Sequence, residues 1–161
     1  QNLSSEHVPT SRKEGVTIKL YSGTLAGLTS PVQNYSPLLV ADITMEEGVS
    51  AVLQLPAHYN TFLYMLEGGI QVGEEKKPLD KDQVGWLDRF GEAVPSDLKL
   101  TAGKESVRFV LYAGKPTGDR IISHGPFIAD AKEEIQGLYQ DYRQGKMPHI
   151  SSVSESQRIF F

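Results

Sequence analysis

Four histidines, His7, His58, His124 and His149, are the chain's only imidazoles, and no two of them stand at i, i+2 or i, i+4. A metal needs several donors at once, so isolated histidines read as hydrogen-bonding loop or surface residues. Cysteine is absent, which removes disulfides, thiolate zinc sites, iron–sulfur clusters and thiol nucleophiles and leaves His, Asp and Glu as the ligand set. No Gly-x-Ser-x-Gly elbow occurs, and no Ser/His/Asp set can be assembled from spacing. Gly23-Thr-Leu-Ala-Gly27 lacks the Lys-Ser/Thr of a phosphate-binding loop and the helix that should follow it, so it reads as a loop between strands. Asp42 with Glu46 or Glu47 could pair as carboxylates, but on a strand and turn they are expected to stay solvated. Trp86, Phe90 and the late tyrosines read as core or interface, because no Arg/Lys groove accompanies them to make a base-stacking platform. With 20 acidic and 16 basic side chains, the net charge of −4 disfavours direct nucleic-acid binding.

The elements that must position these residues are mostly strands. Val16, Ile18 and Leu20 alternate with polar neighbours, as do Leu39, Ala41, Ile43 and Met45, then Val49, Ala51, Leu53 and Leu55 up to Pro56. Thr61 to Glu67 and Ile70 to Val72 flank Gly68-Gly69 and are expected to form a hairpin. The charged run Glu74-Glu75-Lys76-Lys77 reads as the solvated turn of another hairpin. Further strands are expected at Val84 to Leu87, Leu98 to Thr101 and Val107 to Tyr112. After Pro126 the pattern changes. Ile135, Leu138, Tyr139 and Tyr142 share one helical face, Asp130 and Glu133 have capping-box spacing, and Gly145 closes a helix of about residues 131–144. The tail ends Ile159-Phe160-Phe161, an apolar cluster expected to dock. A length of 161 residues fits one domain. No apolar run approaches the ~20 residues that cross a bilayer, so no membrane is expected as a partner.

Many short strands, 15 glycines, 9 prolines and one late helix give an all-β class: a double-stranded β-helix or jelly-roll barrel with one C-terminal α-helix, the cupin architecture. In metal-binding cupins a Gly, five residues, His-x-His, three or four residues, Glu, six residues and Gly bring three side chains onto one cation. Gly48 and Gly68 have that separation, but Gln54 and Pro56 stand at the histidine positions and Asn60 or Thr61 at the glutamate. Proline has no ligand atom, and neutral oxygens hold transition metals weakly. No catalytic, cofactor-binding or metal residue is therefore expected here. His58 and Tyr59 become candidates for the rim of a pocket at the barrel mouth. His124, Ile135, Leu138 and Tyr142 become candidates for an interface.

The segments Val107-Arg-Phe-Val-Leu-Tyr-Ala-Gly-Lys-Pro and Ile121-Ile-Ser-His-Gly-Pro-Phe-Ile-Ala-Asp, with Glu133-Glu-Ile and Asp141-Tyr-Arg-Gln-Gly, resemble the C-terminal end of the pirin family. Gly15-Val-Thr-Ile-Lys-Leu, Gly27-Leu-Thr-Ser-Pro-Val, Leu55-Pro56 and Tyr64-Met-Leu-Glu-Gly68 are similar to that family's second cupin domain. The resemblance implies a bicupin whose N-terminal domain holds iron by three His and one Glu, while the C-terminal domain lacks those ligands. It also implies links to transcriptional cofactor or redox-sensing roles and to quercetin 2,3-dioxygenase activity. On that basis residues 1–14 are a linker or arm from an absent N-terminal cupin, 15–125 the metal-free barrel, and 126–161 a turn, helix and docking tail. The expected function is structural and interactive, with no cofactor in this chain, iron in the missing half, and that half as the main partner beside a further protein partner. A quercetin-cleaving parent enzyme and a stand-alone small-molecule binder are the alternatives, and the expected compartment is the cytoplasm, or the nucleus in a eukaryote.

Overall fold

The computed structural model describes residues 3, 5–147, 149 and 152. After a 3-10 turn at Ser5–His7 the strands run in order: β1 Thr10–Lys13, β2 Val16–Ser22, β3 Thr24–Leu25, β4 Leu28–Thr29, β5 Leu38–Met45, β6 Ser50–Pro56 and β7 Asn60–Glu67. Then follow β8 Gly69–Val72, β9 Lys77–Asp80, β10 Val84–Trp86, β11 Pro95–Ala102, β12 Val107–Gly114, β13 Ile122–His124, β14 Phe127–Ala129 and the helix α1 Lys132–Arg143. The chain divides into two compact units, with the boundary after Pro116.

In the first unit two antiparallel sheets close over one core. One has the order β1-β2-β5-β12-β7-β10 and the other β6-β11-β8-β9. The period-2 patterns dictate what lies between them: Leu20, Ile43, Met45, Leu63, Met65, Phe109 and Leu111 from the larger sheet meet Leu53, Leu55, Ile70, Leu98 and Leu100 from the smaller. Each of these side chains removes ~1.5–3 kcal/mol worth of apolar surface from water, so the alternation is the main reason for this fold. All-β structure of cupin type with one C-terminal helix is what the sequence predicts and what the chain adopts.

The glycine pair at 68 and 69 behaves differently from its prediction. β7 pairs with β12 and β10, whereas β8 pairs with β11 and β9, so Gly68 is a corner between sheets and not the tip of a hairpin. Gly68 takes φ +69°, and a Cβ there would stand 2.7 Å from the Ser106 carbonyl oxygen, so the corner has no room for a side chain. The turn over Glu74 to Lys76 does close a hairpin, between β8 and β9.

Residues 10–13, within the stretch expected to be an arm, are a strand that pairs Thr10 with Lys19 and Lys13 with Val16. Its mostly exposed edge carries no apolar alternation, so period-2 reading passes over it. β11 starts earlier than the expected Leu98, and its seven pairs with β6 begin at Pro95.

The second unit contains the β13–β14 hairpin and α1. The helix matches the predicted span, but the capping box does not form. Ala131 is the N-cap, in extended conformation, and no side chain bonds to the cap. Asp130 sits one position too early for its carboxylate to reach the second or third helical N–H. The apolar cluster Ile159-Phe160-Phe161 lies outside the described residues.

Candidate pocket at the mouth of the barrel

Strand phase decides what the barrel offers as a site. Along β6 the exposed and buried positions alternate so that Leu53 and Leu55 face inward and Gln54 faces solvent. The alternation continues past the strand end to buried Ala57, and Thr61 on β7 is buried at 4% exposure. Leu55, Ala57 and Thr61 all line one cavity of about 590 Å3. The spacing from Thr61 to Gly68 is six intervening residues, and Leu55-x-Ala57 with three more residues reaches Thr61. The inward positions of the motif frame are thus Leu55, Ala57 and Thr61, one residue later on β6 than a count from Gly48 gives.

That shift corrects the frame read from the sequence. Gln54 and Asn60 are on the outer face, Pro56 is half-buried at the cavity wall, and only Thr61 is both buried and lining. Leucine and alanine offer no donor and threonine a single neutral oxygen, so these three residues do not fit a transition metal. Among the described residues no three His, Asp or Glu side chains come together at metal-binding distances.

The cavity floor is apolar, with Leu55, Leu63 and Leu98, and Thr61 and Ser96 add hydroxyls. Its rim is aromatic. Tyr59 lines it, and Trp86 and Phe90 do so while 69% and 59% exposed, so of the core and interface readings the core one fails. Trp86 tilts against Phe62, with ring centroids 4.9 Å apart, and Phe62 stacks on Tyr112 at 4.8 Å. Of the two predicted rim residues, Tyr59 lines the cavity and His58 does not. His58 packs edge-on to Tyr59 at 4.8 Å, and its Nδ1 is buried without a hydrogen-bond partner among the described residues.

Charge at the mouth is mainly negative. Glu74, Glu75 and Asp88 line it against a single lysine, Lys77. Lys77 Nζ lies 3.0 Å from Glu75 Oε2, and the hydrogen bond and charge of Glu75 raise the Lys77 pKa above its ordinary value. Lys99 pairs with Glu74 and is raised in the same way.

Elsewhere on the barrel, Asp42 does not belong to a solvated carboxylate pair. It is 9% exposed and accepts from Arg108, with Nη2 2.6 Å from Oδ2 and Nε 3.1 Å from Oδ1. Hydrogen bonding to Asp42, then its charge, raises the Arg108 pKa. In the second unit, His124 and Ile135 line a cavity of about 610 Å3 with Tyr139 and Arg143. Tyr139 donates from its hydroxyl to the His124 carbonyl at 3.3 Å and packs edge-on to Phe127 at 4.9 Å. Leu138 is half-buried and Tyr142 is 64% exposed, and neither lines that cavity.

Comparison with known proteins agrees with this architecture. A family model described as the pirin C-terminal cupin domain matches residues 40–148. The chain is 31% identical to pirin of Homo sapiens over 146 residues, covering 91% of this chain and 50% of that protein. It is 30% identical to pirin-like protein 2 of Arabidopsis thaliana over 150 residues, covering 91% and 46%. The chain therefore spans about half the length of these curated relatives. Among solved structures, a quercetin 2,3-dioxygenase from Acinetobacter baumannii superposes with TM-score 0.81 at 25% identity, over 93% of this chain and 51% of that one. GK1651 from Geobacillus kaustophilus gives TM-score 0.70 at 34% identity, over 74% and 47%.

Proposed function

Because the chain belongs to the pirin family, as its C-terminal cupin domain, we propose that it serves as the metal-free partner of an iron-binding cupin. Its role on this reading is structural and interactive. The observation that carries it is the trio Leu55, Ala57 and Thr61, with one neutral oxygen in all, at the inward positions where a metal-binding cupin needs His, His and Glu. The half-length match to the relatives supports a second domain in the source protein. Iron and any redox step then lie in that other half, and the barrel surface and the helix are what this chain contributes to partners. The cytoplasm is the proposed compartment, with the nucleus added for a eukaryotic source; among the described residues no helix is long and apolar enough to cross a membrane.

The test is the intact mass and metal content of the protein as isolated from its source. A mass near twice 17.8 kDa with about one iron per chain is the expected result. Tight stoichiometric iron binding by the 161-residue chain alone would overturn it.

The superposition on a quercetin 2,3-dioxygenase favours a second reading, in which the source protein cleaves flavonols at the iron of its other half. The whole protein should then turn over quercetin while this chain alone does not. Turnover by the isolated chain would contradict the placement of the chemistry.

A further inference from the structure

We propose that the cavity at the barrel mouth is a binding site in its own right, for a neutral or cationic molecule with an apolar ring body. The proposal is independent of where the iron lies. A volume of about 590 Å3 is within the range of small-molecule pockets, which are mostly apolar with a few orienting polar groups. Here the apolar floor is Leu55, Leu63 and Leu98, and the orienting group is the buried Thr61 hydroxyl. Trp86 and Phe90 stand exposed on the rim, where a ring entering the cavity would cover surface that they now present to water. Aromatic faces carry negative potential, so the same rim favours a cation over an anion.

The carboxylates give the charge preference. Glu75 is neutralised by Lys77 and Glu74 by Lys99. Asp88, also on the lining, takes part in no ion pair among the described residues, and its charge reaches only Lys77, which Glu75 already holds; Asp97 is the cross-strand partner of outward-facing Gln54 and lies on the outer face. Two lining carboxylates, Glu75 and Asp88, thus share one lysine, so an anionic ligand would meet a like charge in excess and an amine a counter-charge. One exposed pair of this kind changes affinity by roughly 1.5- to 5-fold, which is the separation expected between an amine and its neutral analogue.

Three probes with one ring body decide it on the 161-residue chain: biphenylmethylamine, biphenylmethanol and biphenylcarboxylate. Trp86 is the only tryptophan, so its fluorescence reports rim occupancy directly, with calorimetry for stoichiometry. The amine should bind tightest, the alcohol next and the carboxylate weakest, at one site per chain. Asp88→Asn, at an exposed position, should bring the amine towards the level of the alcohol. Ala57→Phe, which puts a ring into the cavity from its lining, should abolish all three. Binding of the carboxylate as tightly as the amine would overturn the proposal. So would an amine preference that survives Asp88→Asn undiminished, unchanged binding in a folded Ala57→Phe chain, or the failure of every probe to quench or shift Trp86.

Discussion

The phase of β6 makes a quantitative prediction about where a metal can be built. A variant with Leu55→His, Ala57→His and Thr61→Glu places three donors on inward, cavity-lining positions, and the 590 Å3 cavity leaves room for the added rings. A second variant, Gln54→His, Pro56→His and Thr61→Glu, follows the spacing counted from Gly48 but spends one histidine on the solvent face. Four-ligand zinc sites supply ~10–16 kcal/mol, or about 2.5–4 kcal/mol per ligand. Three inward donors should then give ~8–12 kcal/mol, a Kd between about micromolar and nanomolar, and losing one donor should weaken binding by roughly 10²- to 10³-fold. Calorimetric zinc titration with chelator competition reads the difference. The melting temperature gives an independent check, since a ligand that binds only the folded chain raises it in proportion to affinity. The apo form of the first variant should lose ~2–5 kcal/mol through the missing Leu55 packing, which zinc should restore. Equal or tighter zinc binding by the second variant would refute the phase argument, because it would require residue 54 to point into the barrel.

Two further perturbations test the scaffold by chemical denaturation. Arg108→Ala strands the Asp42 carboxylate, whose side chain is 11% exposed, and should cost about 1–3 kcal/mol, between the values for exposed and buried pairs because Arg108 itself is 43% exposed. The double variant with Asp42→Ala should recover part of that loss, whereas strict additivity would show that the pair is not coupled. Because Asp42 raises the Arg108 pKa, the arginine side of this contribution stays complete at every pH below the ordinary guanidinium value and is lost only above it. Gly68→Ala should cost about 2–4 kcal/mol, combining a left-handed φ of +69° with a contact of 2.7 Å to a backbone oxygen. Gly48→Ala, at φ +68° with nothing within 4 Å, should cost only about 1–2 kcal/mol. Equal losses at the two positions would show that the Gly68 corner is not sterically closed.

Most strands were legible because the barrel buries one face of each, and a half-buried strand writes its period into the sequence. Ile43, Leu53, Leu63 and Leu111 each sit in such an alternation and each is buried. Pairing was not legible in the same way. Thr61 to Val72 has the composition of a hairpin, and only partners far along the chain, Arg108 to Gly114 for β7 and Leu100 to Ala102 for β8, send its two halves into different sheets. The edge strand β1 was hidden because its mostly exposed residues have no reason to be apolar. Asp42 was misread for a related reason: its partner Arg108 is 66 residues away, and local spacing cannot announce it.

The pocket was half legible. The alternation Leu53-x-Leu55 already fixed Gln54 on the outer face, and taking the apolar phase as the ruler, in place of the distance from Gly48, would have found Leu55 and Ala57. A glycine and a ligand in one motif answer to different demands. Gly68 is held by a left-handed backbone and a carbonyl 2.7 Å from where its Cβ would be, a requirement that persists whether or not a metal is ever bound. The residues at 55, 57 and 61 answer only to what occupies the cavity, and here they are a leucine, an alanine and a threonine facing an aromatic, acidic rim. Glycine spacing therefore identifies the barrel and its corner, while the chemistry has to be argued from the inward trio and the charges above it. In this chain those two readings part: the frame is that of a metal cupin, and the interior is shaped for an apolar ring and against an anion.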